Sequence, residues 1–317
     1  MQNMEWHRHS WLNRLQTMLL ILALLAICAL AGSLLFGEEG IWIALATGLF
    51  ALIFEPAAAW RLTLSLYRAR PIYPQEAPAL WQILQVLAER AALPSVPTPY
   101  YIPSPLINAF AVGSRKQSAI ALTDGLFKQL NSRELAGVLA HEMAHIANND
   151  LRVMGLADAI SRITAVFAAT GQLLLILSLG LLWLGDIDFE INWSGILLLL
   201  FSPHLALLMQ LGLSRVREYD ADLNAAALTG DPLGLASALA HIEKISGGWR
   251  SIFMPGWGNP EPSWLRTHPP TAERVRRLQA LRPKPSPVFW QERFTAPGYA
   301  SRVIIRPARW RVGGLWR

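Results

Sequence analysis

His141, Glu142 and His145 stand together in LAHEMAHIANND, the stretch from Leu139 to Asp150. Four positions separate the two histidines. On an α-helix that is one turn and about 40° around the axis, so both imidazoles can reach one ion. Glu142 is turned further round, where its carboxylate can meet a water on the ion rather than the ion itself. Two nitrogen ligands beside a general base are the parts of metal-assisted hydrolysis. The helix they need is written just upstream. Asn131-Ser132-Arg133-Glu134 reads as an N-cap followed three residues later by Glu, and Leu135, Val138 and Leu139 follow at helical spacing.

A catalytic zinc takes three protein ligands and keeps a fourth position open. The single cysteine, Cys28, lies inside an apolar run, so any metal must use histidine and carboxylate. A third histidine after the pattern H-x-x-G-x-x-H is missing, because Asn148 and Leu151 occupy the Gly and His positions. No Glu occurs between Glu142 and Glu190, and the next after that is Glu218 in SRVREYDAD. Choosing among these acids needs the elements that carry them.

Of the 317 residues, 53% are hydrophobic and 16% charged. Soluble domains carry about 25% charged residues, so the composition is that of a membrane protein with a substantial soluble part. The net charge of +6 comes without any motif that reads DNA or RNA, so it predicts a lipid bilayer as partner and no nucleic acid. Four stretches are long and apolar enough to cross about 30 Å of hydrocarbon: Thr17–Phe36, Ile41–Trp60, Ile163–Leu184 and Ser194–Leu213. The first is too long for a signal-peptide core and is followed at once by the second. Arg8 and Arg14 precede the first span, Arg61, Arg68 and Arg70 follow the second, and Arg215 and Arg217 follow the fourth. The connections GEEG and GDIDFEIN are acidic and carry no Lys or Arg. By the bias of positive charge toward the inside, both termini and the large polar segments face the cytoplasm.

That orientation sorts the acids. Glu190 lies in the outer loop, whereas Glu218 follows the fourth span on the side of the histidines. Asp150 and Asp158 share that side, Asp158 lying far along the chain from the pair. Placement nominates Glu218, with Asp222 one turn beyond it as a carboxylate able to accept a ligand histidine's N–H. The plainer alternative makes SRVREYDAD a solvated face of Arg–acid pairs. The expected organisation is an N-terminal part with two spans (1–60), a first soluble part with the HEMAH helix (61–162), a transmembrane hairpin (163–213), a second soluble part with the third ligand (214–281) and a basic tail rich in Pro, Trp and Arg (282–317). INAFAVG and SAIALT read as two strands. The fold class is therefore an α-helical membrane protein with four spans and a cytoplasmic, mainly-α domain carrying a small β-sheet.

With VLAHEMAHIANND, SRVREYDAD, THPPTAERVRRL and SPLINAFAVG in the order seen here, the chain resembles the HtpX-like membrane zinc metallopeptidases. More distantly it is similar to the CAAX prenyl proteases. The resemblance reaches to about Leu281. It implies a gluzincin-type zinc endopeptidase binding one zinc ion through His141, His145 and Glu218, with Glu142 as general base and acid and Asp222 behind a ligand histidine. It implies that His268 helps hold the substrate carbonyl, that Arg274 lies near the site, and that Asn108, Ala109, Phe110 and Ala111 form the strand bordering the substrate cleft. It also implies membrane-protein or unfolded polypeptide substrates, and quality control at the cytoplasmic face of a bacterial inner membrane. CAAX-type processing and a non-catalytic zinc scaffold are the rival readings.

Overall fold

The computed structural model of the chain describes residues 2–53, 59–183, 193–246 and 271–281. The first helix, α1 (Gln2–Phe36), turns at Gly37 (φ +61°) into α2 (Glu38–Ile53). Below that turn the two backbones touch at Gly32 and Gly40, where a Cβ on either residue would strike the other's carbonyl oxygen. Two long helices complete the membrane part: α7 (Asp150–Trp183) and α8 (Trp193–Thr229), the latter with Pro203 inside it. Leu24, Cys28, Ala31, Ala157, Ile160, Ala206 and Leu213 pack between α1, α7 and α8. Leu22, Ile176 and Leu208 point outward and are more than half exposed, apolar surface that a helix bundle in water would bury and a lipid-facing one need not.

Three described helices are long and apolar enough to cross a bilayer, over Arg14–Phe36, Asp150–Leu177 and Gly195–Thr229. The second expected span, Ile41–Trp60, falls on α2, which has 16 residues, and on residues 54–58, outside the described ones. The third differs from expectation at its start. Helix α7 begins at Asp150 rather than near Ile163, so one continuous helix of 34 residues connects the HEMAH region to the membrane. Helix α8, at 37 residues, is about 55 Å long against roughly 30 Å of hydrocarbon, which leaves several turns to project from it.

The remaining elements are α3 (Ala59–Leu66), β1 (Arg70–Pro71), α4 (Pro78–Arg90), β2 (Thr98–Ile102), β3 (Ala109–Gly113), β4 (Ser118–Thr123), α5 (Asp124–Gln129), α6 (Ser132–Ala147), α9 (Pro232–Ser246) and α10 (Thr271–Ala280). The strands form a mixed sheet in the order β1-β2-β4-β3, with β2 parallel to β4 and the other pairs antiparallel. A tight reversal joins β3 to β4, made possible by Gly113 at φ +95°. Among the described residues β3 is an edge strand.

Helix α6 is the centre of the soluble core. As the spacing predicts, Asn131 accepts from the Glu134 N–H at 2.9 Å while Glu134 accepts from the Asn131 N–H at 3.1 Å, closing a capping box. Leu135, Leu139 and Met143 of α6 pack with Leu80, Leu84 and Leu87 of α4, Ile120 and Leu122 of β4, Leu235 of α9 and Leu278 of α10. The polar segments before and after the α7–α8 hairpin thus share one core. Each of these leucines contributes roughly 1.5–3 kcal/mol by leaving water.

Candidate metal centre

The site forms where α6 ends. Asn149 takes the left-handed conformation (φ +57°), which asparagine tolerates better than most residues, and α7 starts at the next position. This corner folds Asp150 back over the last turn of α6, so that its Oδ2 lies 2.8 Å from His145 Nδ1. On the other side α8 brings Asp222 Oδ1 to 3.0 Å from His141 Nδ1. A carboxylate can only accept, so each Nδ1 carries its ring's proton and each Nε2 turns a lone pair inward. The two Nε2 atoms lie 3.1 Å apart, and Glu218 presents one oxygen to each at 3.5 Å. One donor atom from His141, His145 and Glu218 lies within 4.8 Å of each of the others.

The charges fit a divalent cation. Around the cradle Glu142, Asp150, Glu218 and Asp222 supply four carboxylates, and Arg217 and Arg274 two guanidiniums. With neutral histidines, and with Asp220 3.8 Å from Arg217, the carboxylates outnumber the guanidiniums, a net negative charge that suits a divalent cation. The same imbalance acts on the rings. Burial opposes protonating His141, but hydrogen bonds to Asp222 and Glu218 outweigh it, and its pKa is raised. Burial opposes His145 as well, and its bonds to Asp150 and Glu218 hold it well above the ordinary histidine value.

Arg274, on α10, is 5% exposed. It donates to both oxygens of Asp222 at 2.8 and 2.7 Å, and its Nη1 lies 3.0 Å from Glu218 Oε2. Burial works against its charge, yet the bond to Asp222 and the neighbouring carboxylates push its pKa above the usual arginine range. Arg277, one turn on, rests on the ring of Tyr219 at 3.9 Å, which pins α10 to α8.

Glu142 reaches the sheet, where its Oε2 accepts the Ala111 N–H at 2.8 Å. Because a strand alternates, Ala109 shares that edge with Ala111. Asn108 instead turns to β4, bonded through its N–H and carbonyl to Thr123. Phe110 is buried on the far face of the sheet, its ring 5.3 Å from that of Tyr67. Of the four residues expected at the cleft, two therefore face the open edge with their main chains and two face inward. His268 lies outside the described residues. In the sequence Arg217 stood out only as one of the positive charges after the fourth span, and Asp150 only as an acid on the right side. The signal for Asp150 was the Asn148-Asn149 pair, a helix-ending corner placed to fold the next residue back.

A family model described as Peptidase family M48 matches residues 74–282, which includes the α7–α8 hairpin and most of the polar segments on either side of it. The chain belongs to peptidase family M48. Among the M48 relatives, a Protease HtpX homolog of Desulfatibacillum aliphaticivorans is 34% identical over 288 residues, covering 86% of this chain and 91% of that one. A Protease HtpX homolog of Pelotomaculum thermopropionicum is 36% identical over 287 residues, covering 85% and 99%. One of Acaryochloris marina is 37% identical over 300 residues, covering 88% and 99%. A crystal structure of S. mikatae Ste24p aligns with a TM-score of 0.45 at 22% identity, covering 80% of this chain and 61% of that one. Membership in M48, with the long apolar helices, makes the chain a membrane metalloprotease.

Proposed function

We propose that the chain is a zinc endopeptidase of the inner membrane, with four spans, that cleaves misfolded membrane proteins or unfolded polypeptides at the cytoplasmic face. The observation that carries the reading is the convergence of His141, His145 and Glu218, each histidine steadied from behind by a carboxylate. These three residues would hold the ion, with Glu142 beside His141 on the same helix. When bound, zinc supplies Lewis acidity to the attacking water and the scissile carbonyl. Glu142 takes the proton of that water and passes it to the leaving amine. Its hydrogen bond from Ala111 aims the carboxylate along the β3 edge. An extended substrate added to that edge by main-chain hydrogen bonds places a peptide bond beside Glu142 and needs little side-chain specificity. Arg274 fixes Asp222 and Glu218 and so keeps the His141 ring in place. His268 completes the proposal as a donor to the carbonyl oxygen.

The test is cleavage of casein, or of the chain itself, when zinc is returned to purified metal-free protein in detergent. Cleavage that tracks zinc uptake supports the reading. Stoichiometric zinc uptake without cleavage of either substrate favours a non-catalytic zinc scaffold.

A further inference from the structure

Arg217 is a buried cation, 6% exposed, one residue before Glu218 on α8. Its guanidinium goes to Asp150, with an Asp220 oxygen 3.8 Å from Nη1. Nε donates to Asp150 Oδ1 at 2.6 Å, and Nη2 bonds the same oxygen and reaches the Asn148 carbonyl at 3.4 Å. The other oxygen of Asp150, Oδ2, holds His145 Nδ1. Asp150 is 2% exposed and opens α7. A continuous line of bonds therefore runs from α8 through Arg217 and Asp150 to the ring of His145, parallel to the covalent link from Arg217 to Glu218.

The line closes a loop around the metal cradle. His145 belongs to α6 and Glu218 to α8, and the chain between them passes through the whole α7–α8 hairpin. Arg217 and Asp150 tie the hairpin's two ends at the depth of the site, so the spacing of α7 and α8 sets how the His145 imidazole is turned toward Glu218. A buried aspartate with no cation at hand would be costly beside Glu218 and Asp222. With Arg217 it becomes a fixed acceptor.

We infer that Arg217 is a positioning residue of the metal centre, acting through Asp150 to hold the His145 ring and coupling zinc affinity to the packing of the α7–α8 hairpin. The inference rests on His141, His145 and Glu218 being the metal donors.

The experiment measures zinc affinity of the full-length protein in detergent by chelator competition, together with the melting temperature of the metal-free form. Variants are Arg217→Gln, Arg217→Lys, Asp150→Asn and the double variant Arg217→Gln/Asp150→Asn. Arg217→Gln should weaken zinc binding by about 10–100-fold, the usual effect of losing a group behind a ligand. Arg217→Lys should recover part of the loss, since an ammonium keeps the charge but not the two-pronged bond. Action through Asp150 predicts that the double variant loses hardly more than the worse single one. Unchanged affinity in Arg217→Gln alongside a lower melting temperature would reduce Arg217 to a packing role and overturn the inference, and so would additive losses in the double variant. Should Arg217→Gln fail to fold, Arg217→Lys and Asp150→Asn carry the same comparison, and wild-type affinity in both is a negative result. Failure of the wild type itself to bind zinc would instead overturn the assignment of the metal donors.

Discussion

Each histidine of the cradle commits one ring nitrogen to a carboxylate and turns the other toward Glu218, so rotating either ring breaks a buried hydrogen bond. Glu218→Ala removes the only donor of the three that comes from α8, and the purified variant is expected to carry little zinc by metal analysis. Near-stoichiometric zinc in it would return the third-ligand question to Asp150. Arg274→Ala leaves Asp222 and Glu218 buried without their guanidinium. Breaking such a pair costs about 3–5 kcal/mol, to be read from urea unfolding of the metal-free protein. The histidines also give a pH dependence. Their folded-state pKa values are raised above the unfolded value, so protonated rings stabilise the metal-free protein fully below about pH 6.5, and that contribution is lost as the pH rises through the raised values. Zinc needs neutral rings and competes with those protons. Its affinity should therefore fall as the pH is lowered through the raised values, whereas an affinity that stays flat over that range would contradict the raised values.

Helix α6 carries most of the chemistry, and its packing depends on one small residue. A Cβ on Gly137 would stand 2.8 Å from the Leu235 backbone nitrogen of α9. Intrinsic propensity favours alanine over glycine in a helix by about 1 kcal/mol, but overpacking against backbone costs roughly 1–3 kcal/mol. Gly137→Val, bulkier still, is expected to lower the melting temperature, and a neutral result would mean that α9 can move away. Helix α6 was legible in sequence because its capping box and apolar spacing are local signals, and both are present in the fold. The start of α7 was not. A hydropathy window begins a span where the apolar run begins and so missed the first turns from Asp150, whose charge is met by Arg217 from a helix distant in sequence. The same blindness hid Asp150's place behind His145, because five residues along a straight helix would have pointed it elsewhere. Glu218 was within reach of sequence reasoning because so few acids share a side of the membrane with the histidines. Arg274 was not, since nothing local separates it from the surface arginines beside it, and only the family resemblance singled it out.

Across the whole molecule, two polar segments separated by a membrane hairpin build one core and one site, with the histidines before the hairpin and Glu218 and Asp222 after it. This requires both segments on one side of the bilayer. We propose from the arrangement of charges that this side is the cytoplasm, and on that proposal alkaline phosphatase fused within the GEEG turn should be active and a fusion at Ser114, in the β3–β4 reversal, inactive. Equal activity at the two positions would contradict the topology. The central claim is that a metal held by His141, His145 and Glu218 works together with Glu142 to hydrolyse peptide bonds. Its most direct test compares zinc content and casein cleavage in wild type and Glu142→Gln. The substitution keeps the size and the Ala111 contact of the side chain but removes its capacity to take a proton, so zinc should stay at one per chain while cleavage falls by at least about 10²–10⁴-fold. Cleavage at the wild-type rate by a zinc-loaded Glu142→Gln protein would contradict the account.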